Sequence, residues 1–328
     1  MKSYTVAIIG CGSIGALKDD TYDLLTTDAV LTHANAFSRH PDTEIIAFVD
    51  PDIEKAALAM WKWRVPDMYT CTEAMIGFNK ICPDIVVVAT PTETHYSVLM
   101  DVLKMKPKLV VAEKPFCSTL RQAEEVRLAY SFAKIPILID YIRRFDPIQA
   151  DIFNGLRDGK YGAIWHARCL YGRGLEHDGC HGLDIFNWIF GAVQSLSYKH
   201  HGIEDRSHAD PSYTVRLEYK DCKEVYMVAT DSRRWGVFEI EFVTEAGILR
   251  LSDWGKTFRH FKTKPEATFG QYHAIAPTAE KIETGLTKAL LYMADNAVNH
   301  IHNSMPLLCT SADAVAVRGI LAGIGGSK

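Results

Sequence analysis

Apolar residues form solid runs in the first half of the chain and alternate with polar ones through much of the second. YTVAIIGCGSIG (4–15) is a β-branched run that breaks into glycines, and TEIIAFVD (43–50), DIVVVAT (84–90), KLVVAEKP (108–115) and PILIDY (136–141) repeat the run, with helix-patterned segments between. A strand that is apolar at every position is covered on both faces. The rhythm therefore predicts an α/β Rossmann domain, a doubly wound parallel sheet whose ligand lies at the carboxyl ends of the strands. From about residue 121 the period changes. AIWHARCLYG, SYTVRLEY, EVYMVATD and VFEIEFVTEAGILRL place Tyr213, Val215, Leu217 and Tyr219 on one face, and Phe238, Ile240 and Phe242 likewise. That is the pattern of a largely antiparallel sheet with one wetter side, TEAG (244–247) being a hairpin turn. Leu286, Leu290, Met293, Ala297 and Ile301 form a helical stripe, and SADAVAVRGILAGI reads as a last helix. The expected division is a dinucleotide-binding domain at 1–120 and an α+β substrate and oligomerisation domain at 121–328, abutting with the active site between them.

Length supports two cores: the chain has 328 residues, 48% of them hydrophobic. The net charge of −4 without a long basic run removes the electrostatic reason for nucleic acid or an anionic membrane as partner. No apolar stretch approaches the ~20 residues of a membrane span, and the amino-terminal run meets glycines too early for a signal peptide, so a cytoplasmic location is expected. Eight cysteines are scattered without a CxxC pair, which predicts reduced, mostly packed thiols.

Gly10-Cys11-Gly12-Ser13-Ile14-Gly15 follows the first strand and opens a helix, where a Cβ would block the tight turn and the approach of a pyrophosphate. Asp50 ends the second strand and can accept hydrogen bonds from an adenosine ribose while repelling a 2′-phosphate, favouring NAD over NADP. The 35 positions from Gly15 to Asp50 exceed the usual spacing of about 20, which marks residues 16–32 as an inserted loop.

With GCGSIG, THANAF (32–37), FVDPD (48–52), ATPTETH (89–95), EKPFC (113–117), YIRRFDP (141–147) and DGCHGLD (178–184) in this order, the chain resembles the glucose-fructose oxidoreductase and inositol dehydrogenase family of NAD(P)-dependent enzymes acting on sugars and polyols. The resemblance implies a cofactor site along Ala89, Thr90, Pro91 and His95, with Glu113 and Lys114 beside the nicotinamide and a proline bond after Lys114 that is often cis. Alcohol oxidation removes a proton from oxygen as hydride leaves carbon, and a lysine there can stabilise the developing alkoxide. It also implies an acid and a histidine four residues apart at the substrate carbon. His181 matches the histidine, but His177 stands where the acid is expected and the acid is displaced to Asp178.

Asp178 is a candidate cap for the helix of DGCHGLDIFNWIFG, with Leu183, Phe186 and Ile189 or Phe190 on its apolar face and His181 and Asp184 sharing another. Three uses are open for the segment: a zinc site from His177, Cys180 and His181, simple packing, or proton transfer. Proton transfer is favoured, because a first-turn His181 feels the positive helix end and stays neutral. Arg143, Arg144, Arg168 and Arg173 admit a sugar acid or nucleotide sugar as well as a neutral polyol, and Arg144, Tyr171, Arg173, Asp178 and Asp184 are the candidate substrate contacts. The reading is an NAD-dependent oxidoreductase of a secondary alcohol, a homo-oligomer (dimer or tetramer), with Lys114 and His181 handling alkoxide and proton, His177 assisting and no metal. The alternatives are a catalytically silent NAD-binding regulator and a metal-dependent hydrolase or lyase.

Overall fold

The computed structural model describes residues 4–18, 28–79, 82–204, 210–268 and 270–324. The chain forms two units, Met1–Phe145 with Thr287–Arg318, and Asp146–Leu286 with Gly319–Lys328.

In the first unit β1 (Tyr4–Ile9) leads into a π-helical turn at Ser13–Leu17, followed by α1 (His33–Arg39), β2 (Thr43–Val49), α2 (Ile53–Trp63), β3 (Asp67–Tyr69) and α3 (Thr72–Asn79). Then come β4 (Ile85–Val88), α4 (Thr92–Met105), β5 (Leu109–Ala112), α5 (Leu120–Ala133) and β6 (Ile137–Ile139). The strands form one sheet in the order β3-β2-β1-β4-β5-β6, with every pair parallel. Val6, Ile8, Val86, Val87, Val110 and Val111 are wholly buried, each stabilising the sheet by about 1.5–3 kcal/mol relative to exposure. Because β1 is flanked by β2 and β4, the strand order reverses there and opens the crevice in which such sheets bind ligands.

The boundary expected at residue 120 is corrected by this pairing. β6 joins β5 in register, so the parallel sheet continues past 120. The stripe around Leu290, Met293 and Ala297, which was assigned to the second domain, also belongs here: it lies on α8 (Ala289–Asn303), packed on α1 and β5. Beyond it Thr310 bridges antiparallel to Leu138, and Arg144 binds Asp313 at 3.1 Å and the Leu308 carbonyl at 3.1 Å. α9 (Ser311–Gly323) begins at that anchor.

The second unit opens with α6 (Pro147–Arg157), whose cap Asp146 accepts the N–H groups of Ile148 and Gln149, with proline in the first turn where no backbone donor is needed. β7 (Ile164–Tyr171), α7 (Cys180–Phe190), β8 (Ser195–Glu204), β9 (Pro211–Glu218), β10 (Val225–Ala229), β11 (Phe238–Thr244), β12 (Gly247–Ser252), β13 (Thr257–Pro265), β14 (His273–Ile275) and β15 (Glu280–Glu283) follow. The sheet order is β14-β13-β12-β11-β7-β10-β9-β8, with β15 beside β13. All pairs are antiparallel except β7 with β10.

The alternation seen in the sequence is that of the covered face: Val215, Leu217, Tyr219, Phe238, Ile240 and Phe242 are buried. Phe153 of α6 and Phe186 of α7 meet Phe242 edge to face at 6.3 and 6.1 Å. α7 lies tight on the sheet at Gly182, where a Cβ would come within 2.8 Å of Cys169 Sγ and Met227 Cε. The opposite face carries Arg168, Arg216, Glu241 and Arg250, partly exposed and paired across strands. All eight cysteines are free thiols. Among the described residues no helix is long and apolar enough to cross a membrane.

Candidate functional site

The glycine loop follows β1 with the geometry that its residues require. Gly10 has φ +97°, and a Cβ on it would lie 2.5 Å from the Ala89 carbonyl oxygen, while one on Gly15 would lie 1.9 Å from the Gly10 oxygen. A Cβ on Gly12 would meet nothing within 4 Å, so the loop is closed toward the protein at Gly10 and Gly15 and open at Gly12. Asp50, buried after β2, accepts the Cys11 N–H through Oδ2 at 2.8 Å and the Asp52 N–H through Oδ1 at 2.9 Å. Each oxygen retains a lone pair for a further donor. Burial, then the Asp50 charge, pushes the Cys11 thiol up to about 12, leaving it inert.

Ser13 is exposed and Ile14 half-buried on the π-turn, which replaces the longer helix expected to open here. Of the inserted loop expected at 16–32, residues 19–27 lie outside the described residues.

The ends of β4 and β5 come together beside this loop. Ala89 donates its N–H to the Ile9 carbonyl at 2.8 Å, tying the end of β4 to β1. Thr90 follows with a buried hydroxyl oxygen that has no hydrogen-bond partner, and Pro91 caps α4. His95, buried on α4, sets Nε2 2.7 Å from the Thr90 carbonyl and Nδ1 3.0 and 3.2 Å from those of Pro115 and Phe116. It clamps the two loops together. Lys114 is half-buried after β5, and its bond to Pro115 is cis. These features fit a dinucleotide: a glycine cradle open at Gly12, a carboxylate with spare lone pairs at Asp50, and an orphaned buried hydroxyl at Thr90.

Behind Lys114 lies a cluster that sequence reasoning missed. Glu113 Oε1 is 2.9 Å from Nε2 of His33, the first residue of α1, and Asp140 Oδ2, just after β6, is 3.7 Å from the same nitrogen. One ligand-type atom from each of the three lies within 4.8 Å of the others. The 2.9 Å contact between His33 and Glu113 is itself a hydrogen bond. His33 sits inside THANAF, and Asp140 ends a solid apolar run just as Asp50 does. An acid at the carboxyl end of a buried strand was the available signal.

In the second unit, Leu175–Gly179 is a π-turn running directly into α7, which starts at Cys180. Asp178 is therefore inside a helical run and not its cap. His181 is the second residue of α7, as expected, but the π-turn runs into that helix, so the free backbone donors of the whole run lie near residues 175–177. His181 is half-buried and meets Phe238 edge to face at 6.2 Å, and Asp184 is buried one turn on. Arg173, exposed and at φ +54°, contacts His177 Nε2, and the same nitrogen lies 3.8 Å from Asp178 Oδ1.

The turn is held from below by Asp210, which accepts the N–H groups of Glu176 at 3.1 Å and His177 at 2.7 Å. Gly174 admits this carboxylate, since a Cβ there would lie 2.1 Å from its Oδ2. Burial pushes Asp210 up to about 6. Nothing in the sequence around Asp210 signals this role.

Two candidate contacts have structural commitments. Tyr171 is fully buried, its hydroxyl donating to the Tyr213 carbonyl at 2.6 Å and accepting the Tyr213 N–H at 3.0 Å. Arg144 is committed to Asp313 and Leu308, while Arg168, on β7, pairs with Glu241 at 3.0 Å. The zinc reading of the histidine pair loses its third ligand: the buried Cys180 thiol donates to the His177 carbonyl at 3.5 Å. Among the described residues only His33, Glu113 and Asp140 bring three donor atoms together.

Residues 4–131 match the GFO/IDH/MocA model, an oxidoreductase family with an NAD-binding Rossmann fold. A D-apiose dehydrogenase from Paraburkholderia graminis is 24% identical over 60% of this chain and 52% of its own length. The chain spans about half the length of the curated relatives it matches. The fold is shared with an oxidoreductase from Agrobacterium radiobacter, solved with NAD+, L-tartaric acid and magnesium (TM-score 0.74, 17% identity, 99% of this chain and 96% of that one). It is shared also with the WlbA dehydrogenase of Bordetella pertussis, solved with NADH and UDP-GlcNAcA (TM-score 0.75, 14% identity, 99% and 96%).

Proposed function

The amino-terminal unit carries the NAD-binding Rossmann domain of the GFO/IDH/MocA oxidoreductases, and from that premise we propose that the chain is a dehydrogenase moving a hydride between NAD and a secondary alcohol of a sugar, polyol or sugar derivative. The observation that carries this reading is the convergence, at the carboxyl ends of β1, β2, β4 and β5, of the glycine cradle, the Asp50 carboxylate, the Thr90 hydroxyl and Lys114. Bound NAD supplies the hydride acceptor. Gly12 leaves room for the pyrophosphate, and Asp50 offers its free lone pairs to the adenosine ribose, favouring NAD over NADP. Lys114 donates to the substrate oxygen and stabilises the alkoxide as its proton departs.

In the second unit His181 is the proposed base and His177, in contact with Arg173, the assisting group. Similarity to a D-apiose dehydrogenase and to a dehydrogenase solved with UDP-GlcNAcA supports a substrate among sugars and their derivatives. NADH formation across a panel of sugars, polyols, sugar acids and nucleotide sugars tests the reading. NAD binding without turnover on any of them would refute the dehydrogenase and favour a silent regulator.

The partly exposed ladder of Arg168, Glu241, Arg250 and Arg216 is the face we assign to a second copy of the chain. A monomeric mass in solution would exclude that assembly.

A further inference from the structure

We infer that His33, Glu113 and Asp140 form a buried proton-sharing triad that sets the negative charge beside Lys114, which makes Asp140 a positioning residue for the proposed oxidoreduction. The inference rests on the reading of Lys114 as the group at the reacting oxygen.

Topology brings the three together. β5 and β6 are adjacent and parallel, so the residues after them, Glu113 and Asp140, emerge side by side, with the Asp140 N–H bonded to the Ala112 carbonyl at 2.9 Å. His33 closes the cluster from the start of α1. The relative exposures are 0% for His33, 7% for Glu113 and 3% for Asp140, so water does not compensate their charges. One oxygen of each carboxyl lies within 3.7 Å of the same His33 nitrogen and within 4.8 Å of the other carboxyl, and two buried carboxyl groups this close do not both ionise readily, which favours a proton held between them. Asp140 Oδ1 and His33 Nδ1 have no hydrogen-bond partner among the described residues. An ionised Asp140 would therefore face no further donor.

The charged groups facing the pair are His33 from α1, Lys114 from the end of β5 and, toward Glu113, His95 from α4. Burial would raise Glu113, but the hydrogen bond and charge of His33, then Lys114 and His95, outweigh it and hold Glu113 below the usual carboxylate range. Burial first, then the Glu113 charge, push Asp140 up to about 7. The three titrate as a unit. Near neutral pH that unit exchanges one proton with solvent, and its loss adds a second negative charge beside Lys114. This charge offsets the ammonium's attraction for a developing alkoxide. Alcohol oxidation should then decline on the alkaline side with the ionisation of Asp140.

Infrared spectra of the full-length protein carrying isotope-labelled aspartate test the shared proton. We expect a buried carboxylic-acid carbonyl band that bleaches as pH rises through about 7 and is missing from Asp140→Asn. In kcat against pH, the wild type should show an upper limb with the same midpoint. Asp140→Asn should lack that limb, its turnover no longer falling as pH rises through that midpoint.

Absence of the band in the wild type, or its survival in Asp140→Asn, overturns the shared proton, and the wild-type measurement stands even if the variant fails to fold. A titrating band with an unchanged limb in Asp140→Asn overturns the positioning role. Lys114→Met should keep the band while losing turnover. Normal turnover in that variant refutes the lysine reading and the positioning role while leaving proton sharing intact. Activity lost to a chelator and restored by a divalent metal would overturn the triad in favour of an ion.

Discussion

Asp50 Oδ2 accepts the backbone N–H of Cys11 at 2.8 Å, so one carboxylate both fixes the glycine loop and keeps lone pairs for a second donor. Losing it should therefore damage cofactor binding in two ways. Wild-type protein should bind NAD(H) more tightly than NADP(H), and Asp50→Ala should weaken NAD(H) by about 10-fold or more, the equivalent of losing ~1.4 kcal/mol. Titration by nicotinamide fluorescence measures both, and equal wild-type affinities for the two cofactors would remove Asp50 as the selector.

Lys114→Met should leave NAD affinity within a few-fold of wild type and lower kcat by about 100-fold or more, the scale of losing an oxyanion or proton-transfer group. The side chain is half-buried, so the methionine stem can occupy its path. Near-normal turnover on the best substrate of the panel would take Lys114 out of the mechanism.

His181→Ala should lose more turnover than His177→Ala, and neither defect should respond to added metal. Removing a general base costs about 100-fold to 10,000-fold, whereas losing a positioning contact commonly costs less. His177 is engaged by Arg173, so its loss also frees that guanidinium. The reverse order of defects, measured as kcat on one substrate, would move the base to His177.

Asp210 offers a test by stability. Burial raises its folded value from an ordinary carboxylate range to about 6, so between roughly pH 4 and pH 6 the folded state binds more protons than the unfolded one. Stability from this group is thus full below its unfolded pKa and is lost as pH rises through about 6. The shift corresponds to about 2–3 kcal/mol. Wild type should therefore lose stability relative to Asp210→Asn as pH is raised from 4 to 7 in denaturant titrations. A difference independent of pH would show that the carboxyl is already ionised at the low end.

Much of the architecture was legible along the chain, because burial on both faces leaves solid apolar runs and burial on one leaves alternation. The glycine spacing, the acid at Asp50 and the hairpin at Glu245–Ala246 are local features that neighbouring residues dictate, and each stands where the pattern predicts. What the linear pattern hid is what strand pairing and distant segments supply. The first unit extends beyond residue 120 because β6 pairs with β5, and it takes in α8, more than 140 positions later, because an apolar stripe does not record which surface it will cover. The helix of the histidine segment begins earlier than its cap candidate suggested, since Asp210, over 30 positions away, supplies the acceptor for its backbone donors. The sequence by itself determined the fold class, the glycine cradle and Lys114 at the end of a buried strand. Only the tertiary structure decided that Tyr171 and Arg144 are structural commitments and that His33, Glu113 and Asp140 meet, because hydrogen-bond partners and buried charges depend on adjacency in space.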